Sequence, residues 1–248
     1  MNKKSGYTVV ILAGGLGTRL QEVVNDVPKP MAPIRGKPFL EYLLSYWTSY
    51  GADRFILSVG YKNQKIKDYL GTDFYGVPIK YVIEDEPLGT GGALLRVLDK
   101  EDIKEDYFLV NGDTLFQIDV YRMLELHNGN KADMSMSLRN IDNADRYHTI
   151  YINDVGKIIN IDQPDKSAAC GNINGGVYII RSELFHSWTK TGNKNISLEN
   201  EILPELIKNH SVYGYIDDGD FIDIGIPEDY QKAQSCLNDE LLSSTGEK

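Results

Sequence analysis

Tyr7-Thr8-Val9-Val10-Ile11-Leu12-Ala13-Gly14-Gly15-Leu16-Gly17-Thr18-Arg19-Leu20 is the stretch on which the fold turns. Tyr7 to Leu12 form a continuous β-branched and apolar run, the pattern of a strand buried on both faces of a parallel sheet. The run stops at glycines, whose backbone can fold closely around an anion and aim amide N–H groups at it. Arg19 adds a planar guanidinium fork suited to phosphate oxygens. A tight turn or part of a dinucleotide fingerprint also explains the glycines. Leu20, however, occupies the place of that fingerprint's third glycine, and no Gly-Lys-Ser/Thr ending makes the loop a Walker A motif. Lys29 follows in Pro28-Lys29-Pro30-Met31, where two prolines limit where its ammonium points. Alone it reads as a solvated lysine; beside the glycine loop it reads as a phosphate ligand.

Working outward, Phe39, Leu40, Leu43, Leu44 and Trp47 recur at three- and four-residue steps between Pro38 and Tyr50. This predicts an amphipathic helix with Pro38 in its first turn and Gly51 at its C-terminal cap. The pattern then alternates: a strand over Arg54 to Gly60, a helix over Lys62 to Leu70, a strand over Ile79 to Glu84, a helix over Gly92 to Leu98, and a strand over Tyr107 to Asn111. Such alternation implies βαβ units and a parallel sheet, with ligands at the strand C-terminal ends. Beyond Asp133 shorter strands are expected at Met134 to Arg139, Tyr147 to Ile152, Lys157 to Ile161 and Gly176 to Ile180. Asn153-Asp154-Val155-Gly156 reads as a hairpin turn. Helices are expected at Leu198 to Asn209 and from Pro227 onward. The expected organisation is one domain over residues 1–235, followed over 236–248 by a helix end and a tail that frays from Ser243 to Lys248.

The chain has 248 residues and a formal net charge of −10, with 26 Lys and Arg against 36 Asp and Glu. An acidic chain without a basic face is a poor binder of nucleic acid or anionic membrane. Anionic substrates would require local cations and a metal ion. Cys170 and Cys236 have no metal-ligand spacing, and the N-terminus shows no signal-like apolar segment. A reducing cytoplasm is the expected setting.

The segments Leu12 to Leu20 and Pro28 to Met31 resemble the signature of sugar 1-phosphate nucleotidyltransferases. The resemblance continues through Glu86-Pro87-Leu88-Gly89-Thr90-Gly91-Gly92-Ala93, Asn111-Gly112-Asp113-Thr114, Asn172 to Tyr178, Ser197-Leu198-Glu199-Asn200-Glu201 and Phe221 to Tyr230. It implies a single Rossmann-like α/β domain of three layers around a central, mostly parallel mixed sheet, of the nucleotide-diphospho-sugar transferase type. It also implies transfer of a nucleoside monophosphate from a triphosphate to a sugar 1-phosphate, with release of pyrophosphate. With Glu84-Asp85 and Val27 to Pro33 included, the pattern is most similar to bacterial D-glycero-α-D-manno-heptose 1-phosphate guanylyltransferases. Mannose 1-phosphate guanylyltransferases and N-acetylmuramate 1-phosphate uridylyltransferases share much of it.

By this resemblance Asp113 and Asp223 hold Mg²⁺ against the nucleotide phosphates, an ion that usually takes only one or two carboxylates. Asp113 alone reads equally as a cap for the next helix. Arg19 is assigned to the leaving phosphates and Lys29 to the triphosphate around the reacting phosphorus. A sugar 1-phosphate has a second pKa of about 6, so its attacking oxygen is already ionised and no general base is needed. Leu12, Ala13, Gly14, Gly15, Gly17, Thr18, Glu84, Gly89, Thr90 and Gly112 are the expected nucleotide contacts. Glu84 favours guanine, whose adjacent N1–H and N2–H donors match one carboxylate, although a surface glutamate among Asp85 and Glu86 is the plainer reading.

Thr114, Asp162, Asn172, Asn174, Gly175 and Glu199 are expected around the sugar phosphate. Turn chemistry accounts equally well for the two asparagines, and helix N-terminal charge placement for Glu199. Asp162-Gln163-Pro164 departs from the Glu-Lys-Pro of many relatives, and Lys166 or Arg139 is expected to supply the missing charge. A nucleotide-sugar binding subunit without catalysis is the alternative of another class; the full Arg19, Lys29, Asp113 and Asp223 set argues against it. A glycosyltransferase would carry Asp-x-Asp where this chain has Asn111-Gly112-Asp113. Pyrophosphate release separates the three, and the composition leaves homo-oligomerisation open.

Overall fold

The computed structural model describes residues 6–15, 17–20, 23–142, 144–164, 170–188 and 195–237. The first half contains β1 (Tyr7–Ala13), β2 (Pro33–Ile34), β3 (Lys37–Pro38), α1 (Phe39–Ser49), β4 (Ala52–Val59), α2 (Asn63–Leu70), β5 (Asp73–Phe74), β6 (Val77–Ile83), α3 (Gly89–Lys100) and β7 (Tyr107–Asn111). The second contains β8 (Thr114–Phe116), α4 (Val120–Gly129), β9 (Met134–Ile141), β10 (Thr149–Ile152), β11 (Ile158–Asp162) and β12 (Gly171–Ile180). A π turn over Leu198–Ile202 leads into α5 (Leu203–Asn209), then β13 (Val212–Asp217), β14 (Phe221–Asp223) and α6 (Pro227–Cys236).

The main sheet runs β11-β10-β12-β7-β1-β4-β6-β5, with β9 joining β12 to β13. β7, β1, β4 and β6 are mutually parallel, while β12 returns antiparallel against β7. The expected mixed sheet is thus built as a parallel half and a largely antiparallel half. β1 has neighbours on both sides and buries both faces, which explains its unbroken apolar run. Val9 and Ile11 pack with α1, α2, α4 and α6 on one side. Val10 packs with α3, the π turn and α5 on the other. These are the three expected layers.

The helix expected between Pro38 and Tyr50 forms as α1, but Phe39 to Trp47 are all buried, so it is covered on every side and not along one stripe; Trp47 and Phe108 approach to 4.7 Å between ring centroids. Burying each such side chain contributes roughly 1.5–3 kcal/mol. Gly51 ends α1 at φ 95°, a left-handed cap that a side chain would strain. The β10–β11 hairpin forms as expected, and the helix expected over Leu198 to Asn209 forms with its first turn widened to π geometry.

α4, β8, β13 and β14 were not expected from the sequence pattern. α4 buries only Val120, Met123 and His127, too narrow a stripe for periodicity to reveal. Its start is nevertheless written locally: Asp119 accepts from the Tyr121 and Arg122 N–H groups, an N-cap that satisfies donors the helix cannot. β12 begins at Gly171, earlier than expected, and its pairing with β9 is irregular between Asn174 and Tyr178. The tail at Ser243 to Lys248 lies outside the described residues.

Candidate active site

Register decides where the chemistry gathers. Ala13 pairs with Val59, Val59 with Ile83 and Leu12 with Asn111, so four parallel strands end in one row. Of the residues that follow, Gly14 and Glu84 line a cavity of about 430 Å³. Leu12, Ala13, Gly14, Gly15, Gly17 and Thr18 line it on one side, and Glu84, Pro87, Leu88, Gly89 and Thr90 on another. Lys29, Pro30, Ala93, Asn111, Asp113 and Asn195 complete the wall.

This convergence brings together nearly all the expected nucleotide contacts. Gly112 lies just beneath the wall, its N–H donating to the Leu12 carbonyl at 2.9 Å. Arg19, in a short 3₁₀ turn over Thr18–Leu20, is exposed and is not among the wall residues. Gly14 is required by its neighbour: a Cβ there would lie 2.0 Å from Glu84 Oε1. Gly17 is required twice, by φ +61° and by a Cβ position 2.8 Å from Cβ of Lys29. The loop is thereby packed directly against the stem of the cation it precedes.

Glu84 is buried, which excludes the surface-glutamate reading. Its Oε1 accepts from Ser58 Oγ at 2.9 Å. Burial raises its pKa, opposed by hydrogen bonds from Ser58 and from the Leu88 backbone. Ser58 escaped the sequence reading, because a lone hydroxyl in an apolar run carries no local sign of its partner.

Lys29 Nζ stands 2.5 Å from Asp113 Oδ2, with side chains 10% and 36% exposed. For Asp113 the largest influence is burial, which acts upward, but the charge and hydrogen bond of Lys29 and the Thr114 hydroxyl together hold its carboxyl below the ordinary value. Asp113 is therefore no helix cap; Asp119 performs that task. The short β14 pairs with β8 so that Asp223 faces Thr114, and Ile224 N–H donates to the Asp113 carbonyl. Asp223 is thus carried beside Asp113. Burial first, and then the Asp113 charge, push the Asp223 carboxyl up. Tyr147 Oη donates to Asp223 Oδ2 at 3.3 Å and Gly225 N–H to Oδ1 at 2.7 Å. Two converging carboxylates with one lysine between them leave a deficit of positive charge, which suits a hard divalent cation.

The sugar-side residues are more dispersed. Thr114 is buried and donates to Asp113 Oδ1 at 3.3 Å. Asn172 Oδ1 accepts from Asn140 Nδ2 at 3.0 Å. Asn174 accepts from Gly176 N–H at 2.9 Å, as in a turn, while its amide donates to Tyr178 Oη at 2.5 Å. Gly175 is wedged between Phe116 and Ser137. Glu199 accepts from Thr90 Oγ1 at 2.7 Å, tying the π turn to the first turn of α3. Asp162 is exposed at the end of β11. Gln163, at the position of the missing lysine, donates to Asn200 Oδ1 at 3.1 Å. Arg139 is engaged by the Asp217 carbonyl at 3.4 Å, and Lys166 lies outside the described residues.

The parallel strands bring a glycine loop, Lys29, Glu84 and Asp113 to one cavity, and β14 sets Asp223 beside Asp113: this is the layout of a nucleotidyltransferase. A nucleotidyl transferase family model matches residues 8–240, and the chain belongs to that family. A D-glycero-α-D-manno-heptose 1-phosphate guanylyltransferase of Aneurinibacillus thermoaerophilus is 43% identical over 92% of this chain and 97% of its own length. The enzyme of the same name from Campylobacter jejuni is 40% identical over 89% of this chain and 96% of its own length. Two crystal structures of HddC from Yersinia pseudotuberculosis, one complexed with GMP-PN, superpose with TM-scores of 0.81 and 0.80. Each is 36% identical and covers 92% of this chain and 98% of the HddC chain. No helix among the described residues is long and apolar enough to cross a membrane.

Proposed function

We propose that the protein transfers GMP from GTP to D-glycero-α-D-manno-heptose 1-phosphate, giving GDP-heptose and pyrophosphate for surface polysaccharide synthesis in the cytoplasm. The observation that carries the reading is that buried Glu84 and the Lys29–Asp113 pair line one and the same cavity. The near full-length identity to two guanylyltransferases of that heptose 1-phosphate supports the choice of both substrates.

The glycine loop receives the phosphates on its backbone N–H groups, and Lys29, held by Asp113, neutralises charge around the α-phosphorus. Asp113 and Asp223 would hold Mg²⁺, which supplies charge neutralisation at the phosphate oxygens. Glu84 accepts from guanine N1–H and N2–H and fixes the base, so that the α-phosphorus lies in line with the incoming sugar phosphate oxygen. That oxygen is already ionised, and the histidines have no required part. Arg19 meets the leaving pyrophosphate at the cavity rim. Asn172, Asn174, Gly175, Glu199 and Asp162 face the sugar, with Lys166 the cation for its phosphate.

The test is pyrophosphate release with Mg²⁺ across a grid of nucleoside triphosphates and sugar 1-phosphates. Release confined to GTP with the heptose phosphate is the expected outcome; release with another pair keeps the reaction class and discards the heptose reading.

A further inference from the structure

Ser58 is a fully buried hydroxyl on the otherwise apolar strand end Phe55-Ile56-Leu57-Ser58-Val59. Side-chain alternation places it with Ile56 on the face of β4 that looks toward α3, the face that Val82 occupies on β6. Glu84, two residues beyond Val82, projects on this face as well. Its carboxylate lies against Gly14, whose position leaves no room for a methyl group. A hydroxyl at such a site costs free energy unless it finds a partner, and the Ser58 hydroxyl finds it in Glu84 Oε1, to which it donates at 2.9 Å.

We propose that Ser58 is the positioning residue for base selection: it fixes the rotation of the Glu84 carboxylate so that an edge with two accepting oxygens faces guanine. The inference rests on the guanylyltransferase reading above. A carboxylate can accept several hydrogen bonds. With Ser58 and the Leu88 N–H satisfying its inner lone pairs, Glu84 keeps its outer ones for the base. Without Ser58 the group would be free to turn, and burial would favour its protonated form, which offers one acceptor fewer.

The experiment compares wild type, Ser58→Ala and Ser58→Thr with GTP, ITP and UTP at saturating sugar phosphate, and separately measures KM for the sugar phosphate. ITP lacks the N2–H donor. Ser58→Ala is expected to raise KM for GTP about tenfold, shrink the preference for GTP over ITP, and move the acidic limb of the GTP kcat/KM profile to higher pH. Its kcat and sugar-phosphate KM should stay near wild type, and Ser58→Thr should restore the preference. An Ala variant that keeps the wild-type GTP preference overturns the inference. So does one that loses kcat equally with every nucleotide, since that marks a packing defect. If Ser58→Ala does not fold, Ser58→Thr and Ser58→Cys decide: only the hydroxyl variant should keep the preference. A wild type indifferent to GTP overturns the guanine reading and this inference with it.

Discussion

Lys29 Nζ bonds to Asp113 Oδ2 at 2.5 Å and so joins the loop after β1 to the end of β7. In the proposed function Lys29 serves phosphate and Asp113 the metal ion, and this bond holds the two in place. Lys29→Met should lower kcat/KM by about 10²–10³-fold, in the range seen when one preorganised charge-stabilising donor is removed. Lys29→Arg should rescue little, because a planar guanidinium does not replace a compact ammonium whose stem is packed on Gly17. Steady-state pyrophosphate release measures both; a rescue by Arg would assign Lys29 only a general electrostatic part.

The paired carboxylates predict a conflict between stability and metal binding. Asp223 is partly buried beside a like charge, so Asp223→Asn should raise the melting temperature of the metal-free protein and abolish Mg²⁺-dependent activity. Calorimetry in EDTA and Mg²⁺ titration of activity check the two halves. A melting temperature that falls in the variant would mean that the hydrogen bonds from Tyr147 and Gly225 outweigh the repulsion.

Glu84 sets a pH dependence whose sign follows from its raised pKa. The folded state keeps this proton to higher pH than the unfolded chain, whose glutamates titrate near about 4.3. Stability is therefore unaffected below that value, declines as pH rises from it toward the folded pKa, and stays lower above. Glu84→Gln should melt above wild type at pH 7, match it at acidic pH, and lose the preference for GTP. Thermal melts at both pH values and nucleotide competition supply the readout.

Gly14→Ala would place its methyl 2.0 Å from Glu84 Oε1, and the carboxylate must leave. KM for GTP should rise about tenfold or more while the circular dichroism spectrum stays native. An unchanged KM would show that Glu84 does not meet the base.

Thr90 accepts from Leu198 N–H at 2.8 Å and donates to Glu199. Thr90→Val breaks both bonds between the nucleotide and sugar sides. KM for both substrates should rise together, by about five- to tenfold. A rise for GTP alone would confine Thr90 to the nucleotide.

The parallel half of the fold was legible because buried strands and amphipathic helices write long apolar patterns, and the strand ends then located the glycine loop, Glu84 and Asp113. What escaped was written in few residues. α4 has too narrow a stripe, although Asp119 marks its start. Asp113 could be cap or ligand because both uses put an aspartate after a strand, and the Lys29 contact and the cap made by Asp119 rule out the first. Asn174 resisted for a different reason: its amide makes a turn bond and a Tyr178 contact at once. Ser58 required the register of β4 against β6, which no local pattern contains.

The pairing of β8 with β14 also bears on how the enzyme comes into being. Asp113 leaves the ribosome early and Asp223 late, and that small antiparallel pair, with the Ile224 N–H bond to the Asp113 carbonyl, brings them together. Such distant contacts close slowly because the intervening chain must first be ordered. A nascent chain can thus place Glu84 at the end of β6 and the glycine loop after β1 before Asn195 joins the cleft wall and before Asp223 arrives beside Asp113. The capacity to hold a nucleotide should precede, during synthesis, the capacity to react it.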